Sequence, residues 1–441
     1  MYLPDTVKNC IDALESSGYP TYAVGGCVRD HLLGLQPHDF DLCTAATPDQ
    51  MREVFSACRL VLAGVKHGTV GVITDDGVVE ITTFRTEGTY RDNRHPDWVN
   101  FVTSVEEDLA RRDFTVNAMA WSPTRGLQDP FGGRDDLQNR ILRAVGQPER
   151  RFREDALRIL RGVRFAVRYR LTPEPATQNA MFSLASLMEN LARERVFEEL
   201  NKLLPLIDSA QLLTFAPVIT AVIPELKPTL GFQQHNPHHA YDVFTHISHV
   251  VENAPAEPAL RWAALLHDVG KPACYTMDDR GCGHFYGHAR ISAQMAEDIL
   301  RRLKAPNAMR QDVVQLIELH MLELAPDKKL LRRRLAQYGM DSVRRLLALM
   351  EADTSSKGVQ KEPESARFDA MQIILDEIAA ENACLGLKDL AIGGNDLIAL
   401  GFAPGPEIGK CLDRLLSEVL DEQLPNRSDA LLTRAKTLLT E

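Results

Sequence analysis

Short alternating apolar runs mark the chain up to about Leu142. "TYAVGG" from Thr21, "LVLAG" from Leu60, "TVGVIT" from Thr69 and "VVEITTF" from Val78 are rich in β-branched residues and bounded by turn formers, so they predict strands. "VRDHLLGL" predicts a short helix that Gly34 can end. Beyond Glu154 the apolar period lengthens to that of helices. In "EDALRILRGVRFAVRY" the residues Leu157, Ile159, Leu160, Val163, Phe165 and Val167 make one broad buried face. "KPTLGFQQHNPHH" (Lys227 to His239) reads as a loop and "SSKGVQKEPES" (Ser355 to Ser365) as a linker. The tail "AIGGNDLIALGFAPGPEIGKCLDRLL" reads as two short helices around a Gly/Pro turn, and no fixed-period repeat is evident. The pattern predicts an α+β protein: a small mixed-sheet head over 1–142, then a long all-α region divided into 143–232, 233–360 and 361–441.

A length of 441 residues exceeds one compact core, which agrees with several domains. The start "MYLPDTVKNC" lacks a basic stretch followed by an apolar run, and apolar runs elsewhere are short. Eight cysteines without a CxxC spacing fit scattered reduced thiols, so a cytoplasmic setting without a membrane partner is expected. The net charge of −11 hides a local reversal: between Arg140 and Arg170 ten arginines face only Glu149, Glu154 and Asp155. Such a stripe is either a solvated helix face or a surface for phosphates.

The stretch "YAVGGCVRDHLLGLQPHDFDLCT" from Tyr22 carries the first candidate chemistry. On a strand, Asp39 and Asp41 would share one face. Two carboxylates that close repel unless a cation sits between them, and hard oxygen ligands suit Mg²⁺. Two such ions can hold a triphosphate and an attacking hydroxyl in line. Gly25 and Gly26 allow a tight turn that brings backbone N–H groups to phosphate oxygens, and Glu80 offers a third carboxylate from a neighbouring strand. A lone Asp-x-Asp is common; GG-x-VRD followed by Asp39-x-Asp41 is specific, and is neither a dinucleotide fingerprint nor a Walker loop.

These residues resemble the class II tRNA nucleotidyltransferases, the CCA-adding family, in a superfamily that includes bacterial poly(A) polymerases. The resemblance runs from Tyr22 to the tail, with motifs in family order. "GGCVRD…DFD" resembles the metal and triphosphate motif, with Arg29 in it. "TFRTEGTYRDNRHPDWVNF" resembles the flexible loop. "EDLARRDFTVNAMA" resembles the ribose and phosphate motif, which implies nucleotide contacts for Arg111, Asp113 and Asn117. "DPFGGRDDLQNRILRAV" resembles the head-to-neck joint, and "REDALRILRGVRFAVRY" the nucleobase-recognition helix. On a continuous helix Glu154 and Asp155 would share the side of Arg158, with Arg161 one turn on. A carboxylate accepts and a guanidinium donates, so an Asp–Arg pair complements the amino and ring-nitrogen edges of both cytosine and adenine. Uracil and guanine present the reverse pattern. The resemblance therefore implies tRNA, CTP and ATP as partners and Mg²⁺ as cofactor, with CCA added to the tRNA 3′ end.

His246, His267-Asp268, His288, His320 and Asp353 form a second constellation, and "ALLHDVGKP" resembles the signature of HD-domain metal phosphohydrolases. Imidazoles mixed with carboxylates favour Mn, Fe, Co, Ni or Zn. Such a metal can activate water against a phosphate ester. His235, His238 and His239 have no assigned role. Other readings stand beside the first: an enzyme adding only CC or only A, a poly(A) polymerase, an HD phosphohydrolase with a vestigial head, or a non-catalytic tRNA-binding protein. The long segment Thr86 to Asp108 favours full CCA addition, and the absent basic C-terminal extension disfavours a poly(A) polymerase. Intact Asp39, Asp41, Arg111 and Asp155 disfavour a vestigial head.

Overall fold

The computed structural model describes residues 1–37, 39–88, 99–358, 363–381 and 383–440. Most of the segment that resembles the flexible loop, 89–98, therefore lies outside the described residues. The fold divides into two compact units, Met1–Pro224 and Glu225–Glu441. The segments read as head and neck fall in the first, apart from residues 225–232. The body and tail segments fall in the second.

The first unit contains the strands β1 (Thr21–Val24), β2 (Leu42–Thr44), β3 (Leu60–Val61), β4 (Thr69–Thr74), β5 (Gly77–Thr83), β6 (Arg85–Glu87), β7 (Val99–Phe101), β8 (Ala120–Ser122) and β9 (Gly126–Gln128). Seven of them form one sheet in the order β3-β4-β5-β2-β1-β8-β9. Only β2 and β5 pair in parallel, so the sheet is mixed, as expected. Strands β6 and β7 pair separately. Tyr22, Val24, Cys43, Phe84 and Leu109 pack in the core beside the sheet.

Helix Leu157–Tyr169 follows, and all six apolar residues of its predicted face are buried. Its Gly162 is a packing requirement: a Cβ there would lie 2.9 Å from Phe114. Phe114 also meets Phe165 edge to face at 5.9 Å. This close approach brings Asp113, the neighbour of Phe114, to the same helix face as Arg161.

The second unit is helical, except for a small hairpin of Thr276–Met277 against Gly283–His284 that the all-α expectation omits. Five of its helices, Val243–Asn253, Pro258–Leu266, His288–Arg302, Asn307–Leu319 and Met340–Ser355, bury residues such as Phe244, Trp262 and Leu265. Toward the C-terminus, helices Gly394–Ala399, Pro406–Leu420 and Ser428–Thr440 close over Leu397, Leu415 and Leu431. Pro406–Leu420 is longer than the short helix expected there. Among the described residues no helix is long and apolar enough to cross a membrane.

Candidate functional site

In the first unit a cavity of about 420 Å³ is lined by Gly25, Gly26, Arg29, Asp41, Arg111, Arg112, Asp113, Asn117, Asp155, Arg158, Arg161, Arg164, Phe165 and Arg195. Three separated motifs meet there, joined by Arg195. Gly25 has φ +75° and caps the seven-residue helix Gly26–Leu32, and a Cβ on it would lie 2.9 Å from the Arg112 guanidinium. Position 25 thus favours glycine for its backbone conformation, while the Arg112 guanidinium could shift aside.

The aspartate pair sits differently from the expectation. Strand β2 begins at Leu42, so Asp39 and Asp41 precede it rather than lie on it. Asp41 is still held in register, because the Val24 N–H donates to its carbonyl at 3.0 Å. Leu42 pairs with Ile81 of β5, which sets Asp41 beside Glu80 one step earlier. The Asp41 carboxyl is pushed above its ordinary range, first by desolvation and then by the charge of Asp39, with Glu80 adding to it. Its side chain is nevertheless exposed, being open to the cavity while ringed by protein. Three mutually repelling oxygen donors fit a hard divalent cation such as Mg²⁺.

The arginines are held by acids. Buried Asp108 accepts from Arg111 Nε at 3.0 Å and from Arg112 at 3.3 Å. Asp113 accepts from Arg161 at 2.7 and 2.9 Å and from Asn117 at 3.0 Å. Burial alone would raise Asp113, but the Arg161 charge and the Asn117 hydrogen bond outweigh it and hold the carboxyl well below the usual range. Asn117 in turn accepts from Arg29, whose guanidinium lies 4.1 Å over the Tyr169 ring. Arg29 is therefore tied into a buried network at the edge of the cavity.

The expected base-reading helix is interrupted. Pro148–Glu154 and Leu157–Tyr169 are separate helices, with Asp155 extended between them (φ −141°, ψ 105°). Asp155 accepts from the Leu157 N–H at 3.0 Å and from Arg195 at 3.1 Å. The continuous-helix geometry expected for Asp155 and Arg158 is thus replaced, although both line the cavity. Glu154 is absent from the lining and accepts from Arg151 at 2.7 Å and Arg158 at 2.8 Å. Sequence reasoning missed Asp108, Arg112, Arg164, Phe165 and Arg195. Arg112 stood inside a quoted motif, but Arg195, on helix Arg193–Leu203, carries no local signal.

In the second unit the six expected residues converge. His246 lies 2.9 Å from Asp353 and 3.4 Å from Asp268; His267 lies 3.2 Å and His288 3.4 Å from Asp268. His288 and His320 approach to 3.2 Å through their Nε2 atoms. Each imidazole turns Nδ1 to a backbone carbonyl: Ser356 for His246, Ala264 for His267, Phe285 for His288 and Ile317 for His320. Donation from Nδ1 leaves Nε2 as the free lone pair, the form that binds metals. The Nε2 atoms of His246 and His267 and both Asp268 oxygens are buried without an aligned hydrogen-bond partner. Two triads result, His246–His267–Asp268 and Asp268–His288–His320, each with ligand atoms within 4.8 Å. Burial would lower His267, but Asp268 and Asp353 push it up to about 10, so without a cation its Nε2 holds a proton that a bound metal would displace. Burial and the His267 charge push His320 down to about 4. Orphaned donors of this kind, mixed imidazole and carboxylate, fit a divalent transition metal.

A model described as the Poly A polymerase head domain matches residues 21–143, and one described as tRNA nucleotidyltransferase domain 2 matches residues 284–435. A CCA-adding enzyme of Streptococcus thermophilus is 32% identical over 435 residues, 98% of this chain and 97% of the relative. One from Streptococcus suis is 33% identical over 451 residues, 99% of this chain and 98% of the relative. The crystal structure of the Bacillus stearothermophilus CCA-adding enzyme in complex with CTP is similar with a TM-score of 0.72 and 27% identity, covering 100% of this chain and 98% of that one.

Proposed function

We propose, from the premise that this chain belongs to the CCA-adding enzymes, a tRNA nucleotidyltransferase family, how its own residues add C, C and A to the 3′ end of tRNA from CTP and ATP. The observation that carries the reading is one cavity joining Asp41, Arg111, Asp113, Asn117, Asp155 and Arg158. Asp39, Asp41 and Glu80 would hold Mg²⁺, which supplies Lewis acidity toward the triphosphate when bound. Arg111 and Arg112, fixed by Asp108, present cationic donors to phosphate oxygens. The Asp113–Asn117–Arg161 network holds the ribose side of the pocket in one geometry. Asp155, oriented by Arg195, accepts from the exocyclic amine, and Arg158 donates to the ring nitrogen. UTP and GTP would leave like groups facing each other there, at about 1–3 kcal/mol for each mismatched buried group. The tRNA 3′ oxygen bonds to the α-phosphorus as pyrophosphate leaves, and the hydroxyl proton is released. The partners imply a cytoplasmic setting. The test offers tRNA lacking CCA with each labelled NTP alone and then CTP with ATP; incorporation of C, C and A in order is expected, and incorporation of all four nucleotides or of none would refute the reading.

The second unit supports an additional activity, carried by the four histidines aimed through Nε2 at one cluster with Asp268 and Asp353. We read it as an HD-type phosphohydrolase centre for Mn, Ni, Co, Fe or Zn, acting on an ester such as a 2′,3′-cyclic phosphate or a 2′-nucleotide. Water adds to phosphorus, the ester P–O bond breaks, and the leaving sugar oxygen takes the proton. A scan of phosphate esters with each metal tests it: no hydrolysis with any metal would reduce the cluster to a structural role.

A further inference from the structure

Above the histidine cluster lies a cavity of about 370 Å³ whose lining combines ligands such as Asp268, His288 and His320 with groups that no hydrolytic role explains. Tyr286 is 77% exposed and Met321 62% exposed, both on this lining. Large apolar side chains beside a highly charged floor offer contacts for an apolar ligand part. The Tyr286 ring stacks on His284, with centroids 5.3 Å apart and planes 10° from parallel.

The pair is held in place from behind. His284 Nε2 lies 3.0 Å from the Asp278 carboxylate, and that carboxylate also accepts from the N–H groups of Arg280 and Cys282. The hairpin bearing His284 is pinned where Asn236 donates to the Gly283 carbonyl at 3.1 Å. A Cβ on Gly283 would lie 2.1 Å from the Gln234 carbonyl oxygen, so only glycine permits this approach. The hairpin thus holds His284 at the cavity, with the Tyr286 ring lying against it. Lys357 stands on the same lining, its ammonium 3.3 Å from Asp353.

We propose that Tyr286, backed by His284, is the base-stacking platform of this cavity, so that the site selects a nucleoside phosphate over a phosphate ester without a base. The base lies against the Tyr286 ring, beside Met321, while Lys357 faces the phosphate. This rests on the reading of the cluster as a phosphohydrolase centre. Stacking on an aromatic side chain tolerates any base, so selection is for a base and not for its identity.

The test uses the full chain with its methionine methyls labelled with ¹³C, the Met321 signal being assigned through Met321→Leu. Adenosine 2′-monophosphate should shift the Met321 methyl through the ring current of the base, and ribose 5-phosphate should not. Tyr286→Ala should abolish that shift and raise KM for the nucleotide about tenfold or more, with kcat and the hydrolysis of ribose 5-phosphate unchanged. Tyr286→Phe should behave as the unmodified protein. A Met321 shift that survives in Tyr286→Ala, or an equal loss toward both esters, would overturn the platform. If the unmodified protein hydrolyses no ester with any metal, the hydrolase reading falls, and the Met321 shift still decides on the platform by itself.

Discussion

Asp39, Asp41 and Glu80 in the first unit are exposed, whereas Asp268 and Asp353 in the second are buried. The first set raises its own cost: Asp41 is pushed up by desolvation and by its acidic neighbours. The second set is compensated within the protein. Although burial would raise Asp268, His267 and Lys271 hold it well below its ordinary range. The ligand atoms of each body triad lie within 4.8 Å, while among the described residues the three head carboxylates do not converge so closely. An open, repelling site suits cations that arrive with a triphosphate and leave with pyrophosphate. A closed, compensated site suits a resident ion. On the proposed reading, the same residue type would serve transient metal binding in the first unit and permanent binding in the second, according to burial and to what surrounds it.

The largest expected effect separates these two kinds of carboxylate. Asp41→Asn should lower nucleotide addition by about a hundredfold to a thousandfold or more, since charge stabilisation at the reacting phosphate is lost. Its melting temperature should stay level or rise, because a repelling charge has been removed. A large drop in both activity and stability would show that Asp41 is compensated after all, and the contrast would break.

Asp268→Asn should do the reverse. Removing the charge of a buried carboxylate that neutralises His267 and Lys271 costs about 3–5 kcal/mol. Metal content measured on the purified protein should fall, while CCA addition by the folded variant is unchanged. Undiminished metal content would remove Asp268 from the centre.

A smaller effect concerns base choice. Asp155→Ala should let UTP compete, reducing discrimination by about ten- to a hundredfold, the worth of one buried hydrogen-bond mismatch. Arg195→Ala should give a weaker version, about 0.2–1 kcal/mol, because the pair it breaks is partly exposed. Equal discrimination in Asp155→Ala and the unmodified protein, measured with all four triphosphates, would assign base reading to other residues.

The residues of both sites were largely legible in the sequence, and their geometry was not. Strand β5 follows its alternation because one face is buried over Val79–Thr83, whereas all four residues of β1 are buried and its apolar run was legible by composition instead. The six body residues were found because histidine and aspartate are chemically distinctive in a helical frame. What aims them, a carbonyl at each Nδ1, is backbone geometry and leaves no sequence pattern. The break at Asp155 was missed because "PERRFREDALRIL" contains no internal breaker. Asp155 makes its own break by capping Leu157 and reaching Arg195, 40 residues on. Contacts of that separation belong to tertiary structure, as does the exclusion of a side chain at Gly162 by Phe114. His284 and Tyr286 stood in no motif, and only the hairpin sets them side by side.

A last effect is a difference between the units in acid. His239, beside the body cavity, is pushed down to about 3 by burial, with Lys271 and His246 adding to it. An unfolded histidine titrates near 6.5. Between about 6.5 and 3 the unfolded chain binds the extra proton, so this contribution to stability is lost as pH falls through that window. Asp113 in the first unit is also depressed, held down by Arg161 against its burial. Its contribution is complete above the unfolded aspartate value of about 3.9 and is lost only below it. Mild acid should therefore weaken the second unit before the first. Hydrogen exchange at pH 7 and pH 5 should show faster opening of helix Val243–Asn253 at the lower pH, after correction for intrinsic rates, with helix Leu157–Tyr169 little changed. His239→Gln should recover about 1 kcal/mol of the loss at pH 5, allowing for the partial exposure of the ring. If both helices loosen equally and His239→Gln recovers nothing, the acid sensitivity lies in other groups and the two units do not differ in this respect.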